Sequence, residues 1–313
     1  MANGSVTLLA DSSAFRCVSE DRALREFDPH APVWSLSDTG PIWGAFLVER
    51  FRTLRGKALP LTEHRIRLRL GAEYFGWSSQ PILETFDQLV ESLLNANRNL
   101  LADSGDASVV ALFSPTATGW EAMGYLLPIP FARLDHWYRE GASLCSVSIR
   151  APSADCIPVA IKHRSRLPYW IADQQAKAKE PDAIALLQTN RGTLADTSLA
   201  NIALWSEESG WTTPLDSECH PGTTLAKTIR ILAESGEAVV KKSLTPHDLQ
   251  RADAAIMLGS TGLIWPIGRW NGESLGSKQG VAKWKELEAR WIEFAGLDFV
   301  AQASAYANRD VRR

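Results

Sequence analysis

A short apolar run that leads into a basic cluster is the feature that most constrains this chain. Residues Ile157–Ile161 are apolar and partly β-branched, a pattern that predicts a buried strand. Lys162 follows directly, so this strand would place its amine at the rim of a sheet. Loss of hydration there lowers the pKa of a lysine and makes the free amine a nucleophile. The alternative is a solvated basic turn, or a small phosphate- or nucleic-acid-binding patch, formed by residues 162–166.

Three further motifs follow Lys162 along the chain. Asp196 precedes Asn201 by five residues. Residues 221–224, Pro-Gly-Thr-Thr, stand at a predicted helix start, whose free N–H groups and positive dipole end suit a phosphate. Residues 259–262 form a small polar loop after an apolar run. Taken alone, each has an ordinary structural interpretation, because an aspartate often forms a turn and threonines often cap a helix.

A predicted helix that begins near Leu61 carries His64 and Arg67. The two residues are three apart and therefore share a helix face. Since Arg65 and Arg69 also lie in this segment, an ordinary charged surface helix is the alternative interpretation.

The order of these motifs resembles that of fold-type IV pyridoxal-phosphate enzymes. This is the class-IV aminotransferase family, which includes branched-chain and D-amino-acid aminotransferases and 4-amino-4-deoxychorismate lyase. The resemblance extends from about Ser35 to Ile267. It implies a two-domain α/β (α+β) fold like that of D-amino-acid aminotransferase, with a small N-terminal α/β domain, a larger C-terminal domain and the cofactor in the cleft. The prolines at 128 and 130 indicate the linker, so we predict domains 1–132 and 133–313.

The resemblance also implies the cofactor and its ligands. The cofactor is expected to be pyridoxal 5'-phosphate, with Lys162 as the Schiff-base lysine that also transfers the substrate proton. Asp196 matches the acidic position beside the pyridine nitrogen, where most relatives have glutamate. Arg67 matches the arginine of a His-x-x-Arg-Leu motif that binds the cofactor phosphate, a role that suits a planar guanidinium. The remaining implied phosphate ligands are Thr223, Thr224, Ser260 and Thr261.

The reaction that the resemblance implies is transamination between an amino donor and a keto acid. The alternative is 4-amino-4-deoxychorismate lyase, which releases pyruvate from aminodeoxychorismate and forms 4-aminobenzoate. Residues 162–167 resemble the Lys-Ser-Leu-Asn-Arg-Leu segment of that enzyme. A further alternative is a catalytically degenerate relative that binds a small molecule, because Asp196, Thr39 and Trp43 depart from the family pattern. Residues 107–112 lack the Tyr-x-Arg motif of branched-chain aminotransferases, which counts against that subfamily.

The composition predicts an ordinary soluble globular protein. Apolar residues make up 45% of the chain and charged residues 22%, and the net charge of −3 predicts no nucleic-acid or membrane partner. The four cysteines lack metal-ligand spacing, so we expect reduced thiols, no metal site and a cytoplasmic location. No apolar run in the sequence reaches membrane-spanning length, and from residues 1–5 we expect no secretion signal. The resemblance adds the expectation of a homodimer.

The hydrophobic pattern and the capping residues predict several further helices and strands. We expect a strand at Val6–Ala10, a core helix from Pro81 to Leu101 and a loop from Pro115 to Gly124. A helix is expected from Thr223 to Glu234. Residues 245–248, Thr-Pro-His-Asp, predict another helix start, with an N-cap, a proline and an acid three residues on.

Overall fold

The computed structural model describes residues 12–27, 47–116 and 119–307. The predicted strand at Val6–Ala10 lies outside these residues, as do Thr39 and Trp43. The chain divides into two compact units, the first formed by Met1–Ile129 with Ile161–Ser165 and the second by Pro130–Ala160 with Arg166–Arg313. This division differs from the predicted domains mainly in grouping the short segment around Lys162 with the first unit.

The first unit is built on a six-stranded antiparallel sheet. Its strands are β1 (Ala14–Val18), β2 (Arg25–Phe27), β3 (Leu47–Leu54), β4 (Lys57–Ala58), β5 (Ala107–Thr116) and β6 (Gly119–Pro128), and its helices are α1 (Thr62–Tyr74), α2 (Ser79–Ala96) and α3 (Arg98–Ser104). The strand order is β2-β1-β6-β5-β3-β4.

The two faces of this sheet differ because successive side chains of a strand point to opposite sides. Leu47 and Phe51 of β3 belong to the main core, together with the apolar stripe of α2. Val48, on the other face, packs with apolar residues of β5 and β6, namely Val110, Leu112, Met123 and Leu127. The sheet therefore presents one face to the helical core and a second face with its own smaller cluster.

The second unit contains a nine-stranded mixed sheet. Its strands are β7 (Ala142–Arg150), β8 (Ile184–Gln188), β9 (Leu194–Thr197), β10 (Asn201–Ser206), β11 (Gly210–Thr213), β12 (Val239–Lys241), β13 (Ala254–Gly259), β14 (Leu263–Trp270) and β15 (Glu273–Ser274), and its helices are α4 (Phe131–Glu140), α5 (Leu167–Lys179), α6 (Thr223–Glu234), α7 (Pro246–Arg251), α8 (Lys278–Ala295) and α9 (Phe299–Ala307). The order is β12-β11-β10-β13-β14-β7-β8-β9, and β15 pairs with β14.

Aromatic side chains fix the helices of this unit against its sheet and each other. Trp291 of α8 is fully buried, and its indole Nε1 donates to Thr228 Oγ1 of α6 at 3.0 Å. Trp137 of α4 stacks on Trp265 of β14 with ring centroids 5.5 Å apart. Trp291 thus satisfies its polar N–H while it buries a large apolar surface, so α6 and α8 are held at a fixed relative position.

The predicted α/β (α+β) class is confirmed, as are the helix at Thr223–Glu234 and the helix start at Thr245. The single helix predicted over residues 81–101 is instead two helices that meet at Asn97. The Asn97 amide donates to Leu93 O and Ser13 O, so the side chain competes with the helical backbone bonds and ends α2. None of the helices in the described part of the chain has the length and apolar character needed to cross a membrane.

Two predictions of local structure are wrong. The loop predicted over residues 115–124 lies largely in β6, where Thr116 pairs with Gly119 in a hairpin. The strand predicted at Ile157–Ile161 is a series of turns. Pro158 lacks a backbone donor for a strand ladder, and the N–H groups of Cys156 and Ile157 both donate to Ser153 O.

Replacement of Thr245 by alanine should destabilise the protein by about 1 kcal/mol, because Thr245 Oγ1 accepts from the Asp248 N–H in a complete capping box. Urea denaturation measures the change. Ser78→Ala serves as the matched control, since Ser78 stands at the N-cap of α2 but makes no capping bond. Equal losses in the two variants would contradict the assigned role of the capping box.

Candidate functional site

Asp196 is a buried carboxylate that accepts hydrogen bonds from Asn201 and from the His220 backbone. It lies in β9, so it is not the exposed turn residue of the alternative interpretation. Asn201 Nδ2 donates to Asp196 Oδ1 at 2.7 Å, and the His220 backbone N–H donates to Oδ2 at 2.7 Å. The same Asn201 amide donates to His220 O at 2.7 Å. Each oxygen of Asp196 is therefore fixed by a donor, and Asn201 connects two segments that are distant in sequence.

The start of helix α6 lies directly against Asn201. A Cβ atom at Gly222 would meet Asn201 Oδ1 at 1.7 Å, so only glycine permits this approach. No side chain caps α6, and the first N–H groups of a helix have no intrahelical acceptor. Thr223 and Thr224 are buried at this end. The result is a cluster of backbone donors at the positive end of the helix dipole, which suits an anionic group.

The turn that contains Ser260 and Thr261 joins β13 to β14 beside the same asparagine. Leu258 is the cross-strand partner of Asn201, and a Cβ at Gly259 would lie 3.1 Å from Ala200 Cβ. The hydroxyl of Tyr138 donates to Gly262 O at 2.6 Å and holds the far side of the turn. Three of the predicted motifs therefore meet around Asn201 within the second unit.

Arg166 and Tyr169 also belong to this cluster, although no cofactor role was predicted for them from the sequence. The guanidinium of Arg166 lies 3.7 Å from the centre of the Tyr169 ring, and its Nη2 donates to Ser198 O. Burial raises the pKa of Tyr169, and the negative charge of Asp196 raises it further. Burial and the charge of Asp196 likewise raise the pKa of Cys219, which keeps that thiol neutral. The only sequence signal for Arg166 was its place in the motif after Lys162.

Lys162 lies in the first unit, where strand β3 determines its position. The Val48 N–H donates to Lys162 O at 3.0 Å, and Leu47 pairs with His163 in an isolated antiparallel bridge. The side chain of Lys162 is half-buried. Lys162 therefore follows turns and is held at the edge of β3, rather than ending the strand that the sequence predicted.

Arg67 is buried in a three-residue charged cluster. Its Nε and Nη2 donate to the two oxygens of Glu49 at 2.8 and 2.5 Å, and His64 Nδ1 lies 2.6 Å from Glu49 Oε2. Burial alone would raise the pKa of Glu49, but the charge and hydrogen bonds of Arg67 and the contact with His64 lower it to about 2. The shared face of His64 and Arg67 is confirmed, and the surface-helix alternative is wrong because both side chains are buried.

The chain resembles known proteins over most of its length. The family model for Amino-transferase class IV matches residues 46–270. A Methanocaldococcus jannaschii protein provisionally named a branched-chain-amino-acid aminotransferase is 26% identical over 271 residues, which cover 82% of this chain and 92% of that protein.

Solved structures show the same fold. A hypothetical aminotransferase from Mycobacterium tuberculosis in its PLP-bound form has a TM-score of 0.75 at 15% identity, covering 90% of this chain and 99% of that one. The branched-chain aminotransferase of Thermoproteus uzoniensis, solved with norvaline, has a TM-score of 0.71 at 19% identity, covering 91% and 95%. These likenesses confirm the fold that the sequence resemblance implied.

Replacement of Glu49 by glutamine should lower the free energy of unfolding at pH 7 by about 3–5 kcal/mol, because it removes the buried carboxylate that Arg67 and His64 both contact. Since the pKa of Glu49 is lowered, its contribution to stability is complete above its unfolded pKa near 4.5 and is lost as the pH falls towards about 2. The difference between wild type and variant should therefore shrink between pH 7 and pH 3.

Urea denaturation at the two pH values measures this effect. Asp87→Asn is the control, because Asp87 pairs with Arg65 at the surface, where such a pair contributes about 0–1 kcal/mol. A loss in Glu49→Gln no larger than that of the control would contradict the assigned role of Glu49.

Proposed function

Because this chain belongs to the class IV aminotransferase family, we propose that it is an amino-acid transaminase that acts through Lys162. Class IV aminotransferases bind pyridoxal 5'-phosphate, which is the cofactor of this chain. When bound, the cofactor supplies a ring that accepts the electrons left when a substrate proton is removed. The observation that carries the proposal is the buried carboxylate of Asp196, held beside the uncapped, donor-rich start of α6.

The residues of the second unit fit the charges of this cofactor. Its phosphate is a dianion and needs several donors, which the first N–H groups of α6 and the hydroxyls of Thr223 and Thr224 provide. Ser260 and Thr261, on the turn beside Asn201, offer further donors. In the first unit, Arg67 is the proposed charged ligand of the same phosphate, with a guanidinium that Glu49 already orients.

Asp196 is proposed to lie beside the pyridine nitrogen. An ionised carboxylate there would hold a proton on the ring nitrogen of the bound cofactor, which would strengthen the ring as an electron acceptor. The bonds from Asn201 and from the His220 backbone hold one Asp196 oxygen each. This arrangement supports a role for Asp196 in which it keeps its charge and its orientation.

Lys162 is proposed to carry out two tasks through its Nζ atom. It would hold the bound cofactor covalently, and its free amine would take a proton from the substrate carbon and return it, as a general base and then a general acid. The backbone bond from Val48 N–H to Lys162 O fixes the start of the side chain at β3. Proton transfer requires an amine within hydrogen-bond reach of the reacting carbon. A fixed backbone at Lys162 limits the positions that its amine can take, which supports the proposal.

The substrate that these observations favour is an amino acid, with a keto acid as amino acceptor. The Thermoproteus uzoniensis relative is solved with norvaline and a Mycobacterium tuberculosis relative with alpha-ketoglutarate, which supports this class. The alternative is aminodeoxychorismate cleavage, favoured by the Lys-His-Arg-Ser-Arg-Leu sequence at residues 162–167. We also propose that the chain acts as a homodimer in the cytoplasm, as the family resemblance implies.

The purified protein should be yellow, and borohydride should fix the cofactor onto Lys162. Lys162→Ala should lose this covalent link and at least about a thousandfold in turnover, because it removes both the anchor and the proton carrier. Peptide mapping by mass spectrometry identifies the modified residue. Lys177→Ala is the control, since Lys177 lies exposed on α5.

A second arm of this experiment separates the candidate reactions. Keto-acid formation from amino acids supports transamination, whereas pyruvate release from aminodeoxychorismate without it supports the lyase. A protein that binds the cofactor but gives neither product is the degenerate relative. Substantial activity in Lys162→Ala would contradict the proposed catalytic role of this lysine.

Replacement of Asp196 by asparagine should slow turnover by about a hundredfold or more, because a few kcal/mol of charge stabilisation is lost at the ring nitrogen. The amount of bound cofactor should stay close to that of wild type, since Lys162 and the phosphate donors remain. Asp196→Glu is the sharper test. Because both oxygens of Asp196 are held by short bonds in a buried position, we expect the extra methylene to be overpacked and slower.

The measurements are kcat, cofactor content by absorbance, and thermal unfolding to detect misfolding. If Asp196→Asn turned over as fast as the wild type, Asp196 would have only a structural role. A faster Asp196→Glu variant would instead show that the shorter acid leaves room beside the ring nitrogen.

A further inference from the structure

The segment that leads into Lys162 is a series of turns whose backbone bonds are local. The N–H groups of Cys156 and Ile157 donate to Ser153 O at 2.9 and 3.0 Å. Pro158, the next residue, has no N–H to donate. Bonds between near neighbours fix the local shape of the turns, but they do not fix the position of the segment against the rest of the second unit.

The side chain of His220 holds this segment from 61 residues further along the chain. Its Nδ1 lies 2.8 Å from Val159 O, and both residues belong to the second unit. Because a carbonyl oxygen only accepts hydrogen bonds, Nδ1 carries a hydrogen and donates it. The imidazole therefore connects the turns before Lys162 to the loop that leads into α6.

The backbone of the same histidine holds the buried carboxylate. The His220 N–H donates to Asp196 Oδ2 at 2.7 Å, and His220 O accepts from Asn201 Nδ2 at 2.7 Å. Only two side-chain torsions separate the imidazole from this backbone, and each prefers a few discrete values. The position of Val159 O is therefore linked, through one residue, to that of Asp196.

Val159 precedes Lys162 by only three residues. Three residues span at most about 11 Å of extended chain, so an anchor at Val159 limits how far the backbone of Lys162 can shift. A second anchor lies in the first unit, where the Val48 N–H donates to Lys162 O at 3.0 Å. The backbone that carries the lysine is thus held at two points, and His220 supplies one of them.

We propose that His220 is a positioning residue for Lys162, because its imidazole holds the backbone that leads into the lysine. The inference rests on the proposed function, since it takes Lys162 as the residue that acts on the cofactor. His220 acts through Lys162 and has no contact of its own with the reacting atoms in this proposal. Its expected effect is large, because a displacement of about 1 Å in a reacting group can cost about a hundredfold in rate.

The test replaces the imidazole and leaves the backbone bonds of residue 220 in place. The amide nitrogen of asparagine lies two bonds from Cβ, as Nδ1 of histidine does, so His220→Asn keeps a donor for Val159 O. In His220→Gln the nitrogen lies one bond further out, and His220→Ala has no donor. His247→Ala is the control, because His247 is exposed on α7.

Hydrogen–deuterium exchange of the full-length protein, with and without the cofactor, measures the anchor itself. The amides of residues 151–161 should exchange about two- to tenfold faster in His220→Ala and His220→Gln than in the wild type, as expected for the loss of one hydrogen bond. His220→Asn and the control should exchange as the wild type does. Mass spectrometry of the peptides locates the change.

Covalent attachment of the cofactor measures the position of the lysine. Protein freed of cofactor by dialysis is mixed with pyridoxal phosphate, borohydride stops the reaction, and mass spectrometry quantifies the cofactor on Lys162. Attachment and kcat should both fall about ten- to a hundredfold in His220→Ala and His220→Gln. KM should change little, because no substrate contact is removed, and His220→Asn should match the wild type.

The proposal is overturned if His220→Ala matches the control in exchange, attachment and kcat, or if His220→Asn loses as much as His220→Ala. Faster exchange with unchanged attachment and kcat assigns a purely structural role and also overturns it. Circular dichroism reports folding, and the comparison of His220→Asn with His220→Gln decides the matter if His220→Ala does not fold. These failures leave the proposed function standing, whereas a wild type without fixed cofactor on Lys162 would contradict that function itself.

Discussion

The amide of Asn201 is the contact on which the arrangement of the second unit's site depends. It donates at 2.7 Å both to the Asp196 carboxylate and to the carbonyl of His220, and its oxygen lies where a side chain at Gly222 would have to be. An amide with two donor hydrogens can satisfy two buried acceptors at once, which a carboxylate or a hydroxyl at this position could not do. Strand β9, strand β10 and the start of α6 therefore share one set of short contacts, and the charge of Asp196 is enclosed by donors.

In the first unit, a second buried carboxylate is also held by hydrogen-bond donors from another element. Glu49 points from β3 towards α1, where Arg67 and His64 contact it. A buried ion pair compensates its loss of hydration only when the geometry is good and the remaining polar atoms are satisfied. The paired bonds to Arg67 and the contact with His64 meet that condition, and they fix α1 to the face of the sheet opposite Val48.

The sequence was most informative where structure depends on near neighbours. The capping box at Thr245 and Asp248 was predictable because it involves residues three apart, and the shared face of His64 and Arg67 follows from the helical repeat. The order of the motifs was enough to indicate the family. The strand at Ile157–Ile161 failed because apolar character alone cannot account for a proline in the run, or for the turn that Ser153 O closes. The role of Asn201 could not be predicted either, since its partners come from a neighbouring strand and a distant loop whose pairing the local sequence does not encode.

The ion pair between Glu49 and Arg67 also has a consequence for the thermodynamics of ligand binding. A long arginine side chain normally loses conformational freedom when it grips a ligand, at a cost of about 0.5–1.5 kcal/mol for one immobilised side chain. Arg67 has already lost that freedom on folding, because two of its nitrogens are held by one carboxylate in the core. Arg67 loses this conformational entropy when the chain folds, so little more is lost when an anion binds. An anion that reaches this guanidinium therefore binds a preorganised donor, and its affinity is higher than it would be for a flexible arginine.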